Sequence, residues 1–230
     1  MTATDPAFAI ASPTRLEGRA LWLGVAALLC ASLAITQDKL TWLLEVFWIV
    51  LALPALPLIC KRLPLTRLLC WLLALHALVL IHGGTHTYAQ APLGFALQDV
   101  FGFERNPWDR VGHIMQGFEP AILAREMLLR FSPLRRGKLL TYLILAICLS
   151  FSAFFELLEW WAALVFGADA EAFLALQGDV WDTQWDMFLC LVGAACALLL
   201  LARLHDRQLG LPVATARRDK GALSAAPPND

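Results

Sequence analysis

Histidines and carboxylates in four distant segments are the residues of this sequence best suited to metal or acid–base chemistry. They are His82 and His86, Asp109 and His113, Glu156 and Glu159, and Asp179, Asp182 and Asp186. Within each group neighbouring members lie three or four positions apart, which places them on one face of a helix. Gly83-Gly84 argues against a helix between His82 and His86.

If these carboxylates lie close together in the folded protein, their negative charges must be neutralised. Two carboxylates about 5 Å apart repel by about 3 kcal/mol at an effective dielectric of about 20, and Arg105 and Arg110 can neutralise only two of them. Shared protons or a divalent metal ion (Zn, Mn, Fe, Mg or Ca) must then supply the rest. The predicted metal ligands are His82, His86, His113, Glu156, Glu159, Asp182 and Asp186. Asp109 and Asp179 are predicted as acid/base or ligand-orienting groups.

Simpler interpretations exist for some of these residues. Asp109, Asp179 and Asp182 are also typical of helix N-caps and first-turn acids. Among the remaining polar residues, we expect Glu45 to join the cluster. His76 is interpreted as a packed core histidine and His205 as a cytoplasmic surface residue. The six cysteines lie in or beside apolar runs without a CxxC pair, so they indicate neither disulfides nor a thiolate metal site.

The elements that position these residues are predicted to be membrane helices. Hydrophobic residues make up 59% of the 230-residue chain and charged residues 16%, with a mean hydropathy of +0.64. A soluble domain averages about 25% charged residues, so this chain cannot cover a water-exposed surface. The net charge of −1 offers no basic footprint for nucleic acid. The composition predicts an all-α, polytopic transmembrane bundle.

Hydropathy places about six spans in a membrane domain over residues 20–205. They are predicted at about 20–36, 40–60, 64–82, 112–131, 139–166 and 184–204. The span at 112–131 is the most polar, and a re-entrant or interfacial helix is its alternative. Residues 83–111 are predicted to form a loop on the outer side. Residues 1–19 form a cytoplasmic tail, and residues 206–230 a disordered one.

The distribution of basic residues predicts the orientation. With six spans and both termini in the cytoplasm, the outer segments hold only Lys39, Arg105 and Arg110. A five-span arrangement would put one basic cluster outside, so the charge pattern supports the polar span independently. Trp and Tyr residues near the outer ends are typical of an aromatic belt.

Four strings of this sequence resemble the YjdF family of bacterial inner-membrane proteins. They are HGGTHTYAQAPLGF, RNPWDRVGHIMQGFEPAILAREML, FFELLEWWAAL and QGDVWDTQWDMFLCLVGA. The resemblance implies a multi-pass protein of the bacterial inner (cytoplasmic) membrane and brings no known activity. A second similarity is to VanZ-like membrane proteins. Asp186 and Gly193 match their pattern, whereas Cys190 stands where that pattern has Asn.

Three functions remain open at this point. The first is a metal-dependent enzyme that acts on a lipid or cell-envelope precursor at the outer face. The second is an ion- or proton-coupled transporter that uses the same acids. The third is a structural or accessory protein whose polar network locks the helices together. In all three hypotheses the protein is embedded in the lipid bilayer, which is its expected partner.

Overall fold

The computed structural model describes residues 9–167 and 171–212, and their regular secondary structure is helical. The helices are α1 (Arg15–Ile35), α2 (Lys39–Arg62), α3 (Arg67–His86), α4 (Pro92–Phe101), α5 (Trp108–Phe131), α6 (Lys138–Phe166), α7 (Glu171–Leu174) and α8 (Asp182–Gln208). A short 3-10 turn, Tyr88–Gln90, links α3 to α4.

Helices α1, α2, α3, α6 and α8 are long and apolar enough to cross a bilayer. They contain 20 to 29 residues, and the mean hydropathy of their most apolar stretches lies between 1.8 and 2.4. A span needs about 20 mainly apolar residues. Their outward surfaces carry large apolar side chains such as Leu51, Leu164 and Leu199, which suits contact with lipid. The chain therefore has the all-α membrane architecture that the composition predicts.

Helix α5, the predicted polar span, has the length of a span but not its hydropathy. It contains 24 residues, and it is not among the helices apolar enough to cross a membrane. Its polar side chains lie inside the protein: His113, Gln116, Glu119, Arg125 and Glu126 are each at most 7% exposed. Polar groups at membrane depth are tolerated when protein covers them. The six-span topology thus stays a prediction that the burial of α5 makes physically acceptable.

Helices α5 and α8 form the closest helix pair because small residues line their contact. A Cβ added to Gly117 would overlap the carbonyl group of Cys190, and one added to Gly193 would overlap that of Ile114. Ala121 and Ala194 are fully buried. Small residues allow close backbone approach between membrane helices, where packing rather than a hydrophobic driving force provides the stability.

The predicted outer loop at 83–111 is largely helical. Helix α3 continues through Gly83-Gly84 to His86, and α4 occupies Pro92–Phe101. The glycines provide room rather than a turn: a Cβ on Gly83 would overlap the Tyr88 ring, and one on Gly84 would press on Val46 of α2. The expectation that these glycines interrupt the helix was therefore wrong.

Order also extends past residue 205, where a disordered tail was predicted. Helix α8 continues to Gln208, and Leu209 is fully buried. The N–H of Ala11 donates to the carbonyl of Gln208 at 2.7 Å, and the N–H of Arg67 donates to the carbonyl of Ala11 at 2.8 Å. Through these two hydrogen bonds, Ala11 links the end of α8 to the start of α3. The rest of the predicted tail, residues 213–230, lies outside the described residues.

Candidate metal centre

Asp109, His113 and Asp186 form a buried group of suitable geometry for a metal ion. Asp109 and His113 lie one turn apart on α5, and Asp186 lies on α8. The His113 Nε2 atom is 3.5 Å from Asp109 Oδ1 and 3.8 Å from Asp186 Oδ1. Two ligand atoms each about 2.1 Å from a tetrahedral metal are about 3.4 Å apart. The three side chains therefore need only a small adjustment to hold one ion.

The ring orientation of His113 suits metal binding. Its Nδ1 atom lies 3.0 Å from Gln116 Oε1. With the amide oxygen as acceptor, Nδ1 donates this hydrogen bond, and Nε2 is the ring atom that faces Asp109 and Asp186. Metal-ligating histidines are commonly held in this way by a neighbouring acceptor.

Asp186 provides a second indication of a ligand. It is 2% exposed, and its Oδ1 atom has no hydrogen-bond partner among the described residues. A buried carboxylate oxygen without a partner has a considerable free-energy cost. The unpaired atom is the same oxygen that faces His113, so a cation at this position would satisfy it.

Further carboxylates surround the group. Glu45 of α2 and Glu159 of α6 are 4% and 9% exposed, and both interact electrostatically with Asp109 and His113. Glu156 does so as well, and its Oε1 atom is buried without a partner among the described residues. His113 is the one basic side chain in this set, so the cluster has an excess of acidic groups that protons or a metal ion can balance.

The structure neutralises Asp182 and Asp179 with the two arginines that were expected on this side. Asp182 pairs with Arg105, and Asp179 Oδ2 lies 3.1 Å from Arg110. Asp179 also accepts a hydrogen bond from the Trp181 N–H at 2.9 Å. These two ion pairs fix the start of α8 next to the candidate metal ligands.

His82 and His86 lie together but apart from the three grouped ligands. Their ring centroids are 5.2 Å apart, and the His82 ring contacts Trp108 at 4.7 Å. His82 Nε2 accepts a long hydrogen bond, 3.4 Å, from the Leu93 N–H, and His86 is exposed. Because α3 remains helical, His82 turns towards α4 and α5 rather than towards Asp186.

Tyr88 is a candidate residue that sequence reasoning missed, since it was interpreted as part of an aromatic belt. Its ring is 4% exposed and fills the space left by Gly83 and Gly112. Burial raises the pKa of the Tyr88 phenol well above its usual value, and the nearby Glu45 and Asp109 raise it further. The hydroxyl therefore stays protonated and can donate a hydrogen bond towards the cluster.

A cavity of about 1120 Å³ begins at this cluster and extends along the bundle. Helices α1, α2, α3, α5 and α6 contribute its walls. Glu45, Asp109, His113 and Glu159 line one end, and Arg15, Arg19 and Lys61 line the other. The lining between the two ends is mainly apolar, so the cavity joins an acidic end to a basic end through hydrocarbon-like walls.

His76 and Glu119 interrupt the apolar wall. His76 Nδ1 lies 3.1 Å from Glu119 Oε2, and Glu119 Oε1 is buried without a partner among the described residues. Both side chains line the cavity. His76 was interpreted as a packed core histidine; its side chain is 13% exposed, and the sequence did not reveal its pairing with Glu119.

A second polar network lies at the basic end, between α5 and α8. Arg125 bonds to Asp206 Oδ1 at 2.6 Å and to His205 Nδ1 at 3.0 Å, and His205 Nε2 bonds to Glu126 Oε2 at 3.1 Å. Glu126 also accepts hydrogen bonds from Thr66 at 2.8 Å. His205 is fully buried, so its prediction as a surface residue was wrong. Glu126 also pairs with Arg130 one turn along α5, but the partners Asp206 and His205 lie about 80 positions away in the sequence, so the network could not be recognised from spacing.

Comparison with known proteins identifies the setting of this site. A family model described as a predicted membrane protein, DUF2238, matches residues 18–207. The chain is similar to the inner membrane protein YjdF of Escherichia coli (strain K12), with 48% identity over 173 residues, which are 75% of this chain and 83% of that protein. No solved structure gives a significant match.

Proposed function

The chain belongs to the DUF2238 family of predicted membrane proteins, and within that inner-membrane setting we propose that it is a metal-dependent enzyme. Asp109, His113 and Asp186 hold one divalent ion at the acidic end of the cavity. The substrate is a lipid or cell-envelope precursor whose polar group reaches that end from the outer leaflet. Asp109 thus becomes a ligand in this proposal, rather than the acid/base group that its sequence position indicated.

The observation that carries the proposal is the buried, unpaired Oδ1 atom of Asp186 facing His113 Nε2 at 3.8 Å. Helix-capping acids and surface acids have solvent or backbone partners, whereas this oxygen has neither among the described residues. One imidazole and two carboxylates suit zinc, manganese or iron better than magnesium or calcium, which favour all-oxygen sites.

Three protein ligands leave a coordination position for water or substrate, as is typical of catalytic metal sites. A divalent ion bound here supplies Lewis-acid activation of a water molecule or a substrate oxygen. Glu159 and Tyr88 line the same cavity as Asp109 and His113. There Glu159 would accept a proton from such a water, and Tyr88 would donate a hydrogen bond to a substrate oxygen. The reaction class is hydrolysis: the water oxygen bonds to a carbonyl or phosphoryl centre, the ester bond breaks, and the departing oxygen takes a proton.

The other predicted site residues have supporting roles in this proposal. Glu156 is an additional carboxylate for the ion or its water. Asp182 and Asp179, paired with their arginines, hold the start of α8 so that Asp186 faces α5. His82 and His86 line the approach to the cluster without binding the ion.

Proton or cation transport is the second candidate, and one observation favours it. Polar side chains on α5 continue inwards from His113 and Gln116 to Glu119, at a depth where His76 joins them. Buried ionisable groups inside membrane proteins often mark proton or ion paths. Proton flux into proteoliposomes that is abolished by Glu119→Gln would favour this function over the enzyme.

Metal analysis of the purified full-length protein tests the enzyme proposal. After exposure to zinc or manganese and removal of excess metal, we expect about one ion per chain. Asp186→Asn and His113→Ala should each lose most of that metal, since either change removes one of three ligands. The matched control is Asp99→Asn on α4, an exposed acid, which should retain it.

Two outcomes would contradict the proposal. A folded wild-type protein without stoichiometric metal after loading would remove the centre itself. A metal content that falls equally in Asp99→Asn would show nonspecific binding to acids. If metal binds as expected, the loaded protein is incubated with extracted envelope lipids, and mass spectrometry should detect a hydrolysis product that Asp186→Asn does not form.

A further inference from the structure

The cavity has a second half that the metal centre does not use. The His76–Glu119 pair divides it, and we call the part between this pair and the basic end the inner half. Its walls are apolar and come from α1, α2, α3 and α5. They include Trp22, Leu56, Cys60, Leu73 and Leu123.

The depth of the inner half matches one leaflet of a bilayer. Glu17 of α1 bonds to Arg67 at 2.7 Å, so the start of α3 lies level with the basic end. From Arg67 to His76 α3 rises nine residues, or about 14 Å. The hydrocarbon of one leaflet is about 15 Å deep, which means that one ordinary acyl chain fits between the basic end and the polar pair.

Among the described residues, the side chains at the mouth of the inner half carry an excess of positive charge. Arg15, Arg19 and Lys61 line it, and none of the three has an ion-pair or side-chain hydrogen-bond partner among the described residues. Glu17, on the same end of α1, is paired with Arg67 and also accepts a hydrogen bond from the Trp71 indole N–H. An anionic group is therefore the ligand that this mouth complements.

The wall of the inner half is held in place by a specific bond. Pro57 has no N–H, so the carbonyl of Leu53 lacks its normal helical donor. The Trp22 indole N–H donates to that carbonyl at 2.8 Å, which fixes α1 to α2 along the cavity. A preformed apolar wall with a few placed polar groups is typical of a ligand site.

We propose that the inner half binds one anionic phospholipid from the leaflet on the basic side of the protein, which is the cytoplasmic leaflet by the charge rule. The phosphate group lies among Arg15, Arg19 and Lys61, and an acyl chain enters the cavity as far as the His76–Glu119 pair. This site is independent of the metal centre, which uses the opposite end.

Lipid titration of the delipidated full-length protein in an uncharged detergent tests the proposal. Phosphatidylglycerol should raise the melting temperature at concentrations where phosphatidylcholine does not. The triple variant Arg15→Ala/Arg19→Ala/Lys61→Ala should bind phosphatidylglycerol about 100-fold more weakly, because each basic group near a lipid anion contributes about fivefold. The control triple Arg62→Ala/Arg135→Ala/Lys138→Ala removes three exposed charges outside the cavity lining and should leave binding within twofold.

A second pair of variants tests the position of the lipid acyl chain without changing any charge on the protein. Leu56→Trp fills the inner half, whereas Leu51→Trp adds the same side chain on the outer surface of α2. Only Leu56→Trp should weaken binding. The proposal is overturned by equal affinity for the two lipids, by equal loss in the two triple variants, or by unchanged binding in Leu56→Trp. None of these outcomes affects the metal analysis.

Discussion

The chemistry of the candidate centre depends on which nitrogen of His113 carries the proton. Gln116 Oε1 accepts from Nδ1 at 3.0 Å, which leaves Nε2 towards Asp109 and Asp186. Gln116 is buried and lies one turn along the same helix, so its position follows directly from the local sequence. In the proposed centre, Gln116 thereby orients His113 without itself being a ligand.

Replacing Gln116 with Leu should weaken metal binding by about 10- to 100-fold, the usual effect of losing a partner that orients a ligand. The reason is that the imidazole loses the acceptor that selects its tautomer. Competition with a metal-sensitive chelator measures the affinity. Gln116→Glu keeps an acceptor and should retain binding, and Gln184→Leu, at an exposed glutamine of α8, is the neutral control. Equal affinity in Gln116→Leu and wild type would show that the bond has no influence on the ion.

Spacing in the sequence predicted which site residues share a helix face but not which distant residues they pair with. The i, i+4 spacing of Asp109 and His113 correctly indicated that they share a face, because a helix fixes that relation locally. It could not pair Asp182 with Arg105 or Asp179 with Arg110, since those contacts join residues about 70 positions apart. The same limit hid Tyr88 and the His76–Glu119 pair.

At the scale of elements, the α5–α8 pair positions the site. Gly117 and Gly193 allow the two backbones to approach closely, and this approach brings Asp186 of α8 to His113 of α5. The polar face of α5 explains why hydropathy alone gives this helix a weak signal, while its burial shows how the bundle accommodates it. The amino-acid sequence does not identify Gly117 and Gly193 as packing positions, because a glycine within a helical segment is equally compatible with close packing and with a break in the helix.

Gly117→Ala should lower the stability of the purified protein by about 1–3 kcal/mol, the typical cost of overpacking, because the new methyl group overlaps the Cys190 carbonyl. It should also reduce metal binding by moving α8 away from α5. Gly24→Ala on α1 is the matched control: a Cβ there meets nothing within 4 Å, and alanine favours the helix by up to about 1 kcal/mol. A melting temperature that is equally low in both variants would argue against close α5–α8 packing.

At the scale of the whole molecule, buried polar groups follow α5 from the candidate metal centre to the opposite end of the bundle. The group around Asp109 and Asp186 contains an excess of acids, and the His76–Glu119 pair lies midway. The network around Glu126 and Arg125 has no buried polar side-chain atom without a partner among the described residues. This network joins α5, α8 and the start of α3 through contacts such as Thr66–Glu126. Removing one partner of a buried ion pair is strongly destabilising, so substitutions at this end should destabilise the bundle, while the acidic end is available for a ligand.

The six-span topology predicts opposite locations for two reporter fusions. A reporter after Arg136 follows α5 and should be cytoplasmic, whereas one after Gly178 follows α6 and should be periplasmic. The physical basis is that lysines and arginines are retained on the cytoplasmic side, and the 130–138 segment is rich in them. Alkaline phosphatase and green fluorescent protein fusions give complementary readouts. A periplasmic signal after Arg136 would mean that α5 does not cross the membrane.

The sequence by itself determined that this chain is an all-α membrane protein, because apolar composition and helix-length hydrophobic runs are local properties that a bilayer selects directly. It also determined which segments hold the reactive residues and which of them share a helix face. Only the tertiary structure decided which acids are neutralised by arginine, that Gly83-Gly84 and Gly117 are packing positions, and that Asp186 Oδ1 faces His113 without another partner. Those facts depend on how closely helices far apart in the chain approach one another, and helix periodicity does not encode that distance.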